Sequence, residues 1–504
     1  MTKEKNKIIL VIILILISLI TLVGSSYALL TKSFKSKKLS MEVGTLKIDF
    51  AEGNAINMAN AAPMTDSNGL KSTPYTFTIT NGGDINAYYT VSNEEELANT
   101  LDTSYLRMKL TGSDGYDSGI KTVKELGTET YKLIDDTLLE TGKSVTYELR
   151  MWISQDAGND IQDKIYKSKI VVNGTSNKLP LATDKILAKA NPENLDYNSA
   201  TDAQKKEMWT FTHEATEQTT ALTDYRYIGA DPNNYVKFND ELWRIIGVFD
   251  TDDGTGKVEK RLKIIRNESI GNYSWDNKDT TTGAETAYGK NEWTDARLNY
   301  LLNPGHESET NGGSLYWNRK SGTCYKGQNN STTSCDFTST GLTDTAKSMI
   351  GDAKWYLGGS STYNDVTPPM FYTRERGTTV YSGHSTSWIG KVGLMYPSDY
   401  GYATSGGSST NRNSCLAKEL YNWDSSGYSD CKNNDWMYNS NIWQWTMSPR
   451  ADRSTFVFSV NYTGFVNGTY AYYAPFAVRP VVYLKSTIKV ISGSGTTSSP
   501  YILG

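Results

Sequence analysis

Trp443-Gln444-Trp445-Thr446-Met447-Ser448-Pro449-Arg450 is followed by Phe456-Val457-Phe458-Ser459-Val460, and then by Phe476-Ala477-Val478-Arg479-Pro480-Val481-Val482-Tyr483-Leu484. These three runs set the architecture of the distal half of the chain. Each is short, rich in aromatic and β-branched residues, and flanked by polar, turn-forming segments, which is the pattern of strands. Trp443 and Trp445, two positions apart, point to one strand face and are expected in or near the core. Arg450 and Arg479 stand at strand ends, where a guanidinium braces loops by gripping a carboxylate or backbone carbonyls. Between the last two runs lies a glycine-bearing segment with Tyr462, Tyr470, Tyr472 and Tyr473. Aromatic loops on a rigid scaffold are common binding surfaces, so these four are the candidate ligand-binding residues.

Working upstream, Tyr235-Val236-Lys237-Phe238 and Leu242-Trp243-Arg244-Ile245-Ile246-Gly247-Val248 read as a hairpin joined by the turn pair Asn239-Asp240. Residues 261–266 read as a third strand, after a solvated loop at 250–256. A helix is expected over 292–302, with Trp293, Ala296, Leu298, Leu301 and Leu302 apolar and Asn303-Pro304-Gly305 as its stop. A second is expected over 343–357, where Ala346, Met349, Ile350 and Ala353 recur at helical spacing. Residues 392–400 read as a strand running into a turn, and 485–504 as a C-terminal tail. The four cysteines are all distal, and an even number in an exported chain allows several pairings. Sequential pairing, Cys324 with Cys335 and Cys415 with Cys431, is the simplest.

Residues 39–173 alternate apolar and polar in short bursts, near 45–50, 75–79, 87–91, 105–110, 144–153 and 167–172. Such strands separated by polar turns indicate a β-sandwich. Glu94-Glu95-Glu96 reads as a solvated turn. Residues 174–224 are polar with few strand signals and read as a linker with short helices. The expected fold is therefore mainly β: an N-terminal hydrophobic helix, a β-sandwich, and an α+β distal domain over 225–484.

Residues 1–30 open with lysines and continue into an almost wholly aliphatic run over 8–23. Its length suits a membrane anchor, while Ser26-Tyr27-Ala28 supplies the small residues of a signal-peptidase site. Both readings imply export, with the rest of the chain on the outer side of the membrane, anchored by a single pass or secreted. A Leu-Pro-x-Thr-Gly sorting sequence is absent, so the N-terminal segment is the anchor candidate.

Lys plus Arg number 51 against 55 Asp plus Glu, a net charge of −4 that gives no basic field for nucleic acid. His213, His306 and His384 are scattered, the zinc-hydrolase motif H-E-x-x-H is absent, and no cysteine pair has metal-site spacing. Neither a metal site, a cofactor nor a catalytic constellation is expected. Tyrosine is abundant, at 34 residues, and eleven of the 12 tryptophans lie from Trp209 onward.

Two resemblances add to this reading. Ser26-Tyr27-Ala28 through Met41-Glu42-Val43-Gly44-Thr45-Leu46, the strand ending at Asn81-Gly82, and the run over 142–149 resemble camelysin and TasA-type exported sandwich proteins of Gram-positive bacteria. That implies a cell-surface or matrix module, sometimes able to polymerise. Camelysin's association with protease activity is not carried over, because the segment has no histidine. The distal order, a tryptophan-rich strand to Ser448-Pro449, a glycine turn, then Val478-Arg479-Pro480 and a last apolar strand, resembles bacterial surface domains with a C-type-lectin-like fold. The formylglycine-generating enzyme shares that fold, but its late pair of reactive cysteines has no counterpart here. The expected role is non-enzymatic adhesion or recognition of a glycan or surface protein. The alternative is a self-assembling structural protein of the envelope or matrix.

Overall fold

Two sheets that share one apolar core hold the proximal strands together. The computed structural model describes residues 46–52, 62–96, 99–127, 130–278 and 288–504. Its first sheet runs in the order Ile48–Glu52, Tyr75–Asn81, Ser144–Ile153, Leu106–Gly112, Lys121–Thr122, antiparallel throughout. The second has Ala87–Glu95 between Thr130–Leu139 and Ser168–Thr175. Strand alternation sends Phe77, Ile79, Leu106, Met108, Leu110 and Tyr147 inward from the first sheet, against Tyr89, Val91, Tyr131 and Ile134 of the second. The buried hydroxyls of Tyr89 and Tyr147 meet at 2.6 Å.

Two details differ from the sequence reading. Glu94 and Glu95 continue the central strand instead of turning, and Glu94 pairs with Lys169 on the adjacent strand at 2.8 Å. Thr130–Leu139 is a strand that the apolar pattern conceals. A bulge beside Val91 puts Asp136 at φ 45° and breaks the alternation there.

The distal part is built on a nine-stranded sheet with Glu241–Asp252 and Val258–Arg266 at its middle. Asn239 and Asp240, with φ of 57° and 60°, form the two-residue turn from Tyr235–Phe238 into Glu241–Asp252. Short polar residues tolerate this left-handed conformation. A four-stranded sheet of Val466–Tyr470, Phe456–Val460, Trp443–Pro449 and Phe476–Ala477 buries its apolar residues in the same core. The run over 476–484 is two strands, not one. Phe476–Ala477 pairs with Trp443–Pro449, and Val481–Tyr483 pairs with Val258–Arg266. Val478-Arg479-Pro480 carries the chain from one sheet to the other, and proline is tolerated there because the ladder is interrupted.

The helix expected over 292–302 breaks at Ala296 into a turn, Trp293–Asp295, and a helix, Arg297–Leu302. Tertiary partners account for the break. Asp276 accepts from the Arg297 N–H at 3.1 Å, and the Asn299 amide donates to the Trp293 carbonyl at 2.9 Å. Over 343–357 only Asp344–Met349 is helical, and Ala353–Tyr356 is a strand paired with Ser387–Gly390. The turn expected after residue 396 is the helix Pro397–Tyr402, with proline in its first turn and the Asp399 carboxylate accepting from the Tyr396 N–H.

Within 174–224 the helices Ala182–Leu187 and Asp202–Lys205 form, the latter opened by a capping box between Thr201 and Gln204. The same segment also contributes strands. Met208–His213 pairs with Leu222–Tyr227, which pairs with Glu241–Asp252. The last residues likewise add Val490–Ser492 and Tyr501–Leu503 to the large sheet, the latter parallel to Tyr235–Phe238. Buried Lys489 reaches back to Asp135 at 2.7 Å and Asp136 at 3.3 Å on the Thr130–Leu139 strand. Two carboxylates offset the cost of removing that ammonium from water.

The hydrophobic segment read at residues 1–30 lies outside the described residues. Among the described residues no helix is long and apolar enough to cross a membrane. The chain is a mixed α/β protein with several β-sheets.

Candidate functional site

The distal tyrosines lie along one band of aromatic rings. Tyr462, 46% exposed, stacks on Trp443 with centroids 5.8 Å apart and planes at 12°. Trp443 meets Phe476 at 5.0 Å, and Phe476 lies parallel to Tyr473 at 6.4 Å. Tyr473, 37% exposed, abuts Tyr472 at 4.8 Å, and Tyr470 touches both. Tyr288 completes the band, stacked on Tyr470 at 4.8 Å. Sequence reasoning missed Tyr288 because it lies far from the others along the chain.

The scaffold beneath is firm. Trp445 is buried and stacks on Phe476 at 4.3 Å, so Trp443 and Trp445 share that ring as residues two apart on one strand face must. Tyr470 packs on Phe456 of the adjacent strand at 4.3 Å. The turn after it is pinned by Ala471 N–H to the Thr455 carbonyl and by the Ser274 hydroxyl to the Tyr472 carbonyl at 2.7 Å. The Tyr438 hydroxyl donates to the Tyr462 carbonyl at 2.8 Å. Partial burial and the neighbouring phenols push Tyr472 up to about 12, so it is a neutral donor at physiological pH. The band offers ring faces for stacking and phenols for hydrogen bonds.

The two arginines make bracing contacts. Arg450 forks onto Asp452 at 2.8 and 2.6 Å. Arg479 is buried and donates to the Arg266 carbonyl and the Gln444 side chain, both at 2.9 Å, where the chain crosses between sheets. Cys324–Cys335 and Cys415–Cys431 are disulfides with Cα separations of 5.8 and 5.5 Å. The first spans the hairpin of Ser321–Tyr325 and Thr332–Asp336; the second ties Arg412–Leu416 to Ser429–Asn433.

A small cleft lies between Trp275, Glu292, Trp293, His384, Ser385 and Met447, with room for about one water. Its Glu292 carboxylate accepts from the Thr294 hydroxyl at 2.6 Å and the Ser385 N–H at 2.8 Å, contacts that hold the 384–385 loop in place. Among the described residues no group of three His, Cys, Asp or Glu is arranged to hold a metal ion.

A buried network of charge was not read from the sequence. Arg226 donates to Asp224 at 2.9 Å and to Asp399 at 3.0 Å, and Lys263 reaches Asp399 at 2.5 Å. His213 stacks on Tyr372 at 3.7 Å and meets Asp224 at 3.1 Å. Beside them Glu375 accepts from the Ser398 N–H and hydroxyl, and Arg376 lies 3.6 Å from the centre of the Tyr372 ring. Burial pushes Glu375 up to about 7. Burial is the largest influence on Asp224 and acts to raise it, but the Arg226 charge, the His213 contact and the Arg376 charge together hold that carboxyl below the usual range. The signal available in the sequence was charge inside apolar strands: Asp224 and Arg226 in Leu222–Tyr227, Lys263 in Val258–Arg266.

No family model matches this chain, and no curated protein does. Among solved structures, AvmM, described as catalysing macrocyclization in alchivemycin A biosynthesis, matches over 26% of this chain and 89% of its own. The identity is 9% and the TM-score 0.15, too low to carry an argument about fold or activity.

Proposed function

We propose that this chain is a non-enzymatic recognition protein displayed outside the cell. In this reading the sandwich module over 39–173 lifts a C-type-lectin-like head, whose aromatic band binds a glycan or a surface protein. The N-terminal segment exports the chain and either anchors it or is removed. The observation that carries the reading is the band itself: partly exposed tyrosines, Tyr462 at one end and Tyr473, Tyr472, Tyr470 and Tyr288 at the other, joined through Trp443 and the buried Phe476 of a packed four-stranded sheet. Rigid aromatic side chains give large contact area at low entropic cost, which suits them to recognition. The conspicuous charge cluster is buried and out of reach of a substrate.

The full-length protein on glycan and protein arrays, beside a variant with Tyr462, Tyr470, Tyr472 and Tyr473 changed to Ala, tests this. Binding that disappears in the variant at an unchanged melting temperature is the expected result. Binding retained by the variant would move the surface elsewhere. Absence of any ligand, with filament growth by the full chain, would turn the account to self-assembly.

A further inference from the structure

Lys263 and Asp399 meet in an environment that few ion pairs occupy. Both side chains are 1% exposed, with the Nζ 2.5 Å from Oδ2. Four aromatic rings enclose the ammonium: Tyr396 at 4.3 Å, Phe249 and Tyr483 at 5.5 Å, and Trp355 at 5.7 Å. Asp399 is fixed from its other side, Oδ1 accepting from Arg226 at 3.0 Å, while Oδ2 also takes the Tyr396 N–H at 2.8 Å. Ions held this far from water are costly even when paired, and a neutral link between the same atoms removes that cost.

We propose that Lys263 and Asp399 condense to an intramolecular amide that cross-links the Val258–Arg266 strand to the Pro397–Tyr402 helix. The proton that the ammonium shares with Oδ2 crosses the hydrogen bond, leaving an amine beside a carboxylic acid. The Nζ lone pair attacks Cγ, and Arg226 holds Oδ1 as negative charge develops on it. The Cγ–Oδ2 bond then breaks, and Oδ2 leaves as water with the proton it received and a second from Nζ. The third ammonium proton stays on the amide nitrogen. No oxidant or co-reactant is consumed.

Three features favour the step. The fold places nucleophile and electrophile in contact, which replaces a bimolecular encounter by an intramolecular one. Burial lowers Lys263 to about 8, which brings its amine form within reach near neutral pH. Burial also acts to raise Asp399, but the Lys263 and Arg226 charges together hold that carboxyl below its usual range, so the proton passes to Oδ2 only within the contact itself. Condensation also leaves the net charge of the cluster unchanged, because it removes one cation, Lys263, together with one anion, Asp399.

Peptide mapping of the purified full chain, reduced and digested, decides the matter without any variant. The expected product is a branched peptide containing Lys263 and Asp399, lighter by one water than its two linear parts, with no tryptic cleavage after Lys263. It should vanish in Lys263→Arg, which keeps the positive charge but cannot form this amide. Two linear peptides from folded wild-type protein, cleaved after Lys263, would overturn the proposal. So would loss of water located at any other pair of residues.

Discussion

Arg479 is buried and donates to acceptors that belong to different sheets, the Arg266 carbonyl and the Gln444 side chain. Lysine has a single head group and cannot span both, so Arg479→Lys leaves a buried acceptor unmet. Urea unfolding is expected to show a loss of about 2 kcal/mol. Glu375 makes a second, pH-dependent prediction. Folded, burial pushes it up to about 7, while its ordinary value is 4.5. Between those values the native state keeps a proton that the unfolded chain releases. Its contribution is therefore fully present below about pH 4.5 and lost as pH rises through about 7. Glu375→Gln removes this titration, so the stability of wild type relative to the variant should fall by up to about 3 kcal/mol across that window. Urea unfolding of both proteins at several pH values measures it. His213, whose pKa burial lowers against the pull of Asp224, titrates in both proteins and cancels in the difference. The bracing positions of Arg450 and Arg479 were legible because strand ends need such ties. The inward placement of Glu375, Asp224 and Lys263 was not, because the identity of a charged residue does not say which charge it will meet across the fold.

Strands with clean alternation were legible as elements, and Ser144–Ile153 begins and ends where its pattern does. Legibility failed where tertiary hydrogen bonds replace local ones, as at Ala296, or where an apolar run continues across two sheets, as over 476–484. The disulfides were legible from cysteine parity and order. Their contributions should differ in mechanism. Cys324–Cys335 closes a hairpin already held by its ladder, whereas Cys415–Cys431 joins two five-residue helices that are too short to persist alone. Replacing Cys415 and Cys431 with Ala is expected to cost roughly 3 kcal/mol in the chain-entropy account. The same change at Cys324 and Cys335 should cost less. Denaturant unfolding of the two double variants under non-reducing conditions checks the order.

At the scale of the whole molecule, the band depends on what stands behind it. Trp445, Phe476 and Phe456 belong to the same apolar core as Trp243 and Ile264 of the large sheet or pack on its strands, so the tyrosines have little freedom to lose on binding. The sequence showed four of the tyrosines but not their order in space or the fifth member, because ring contacts across the fold, not chain distance, bring Tyr288 onto Tyr470 and Tyr462 onto Trp443. The central claim is that this surface recognises a ligand. Calorimetric titration of a ligand found on the arrays into wild type, Tyr472→Ala, Tyr473→Ala and Tyr116→Ala tests it most directly, the last an exposed tyrosine of the proximal part serving as control. The account predicts a Kd weakened about tenfold, or about 1.4 kcal/mol, in each band variant and unchanged in Tyr116→Ala. Band variants that bind as tightly as wild type would contradict it.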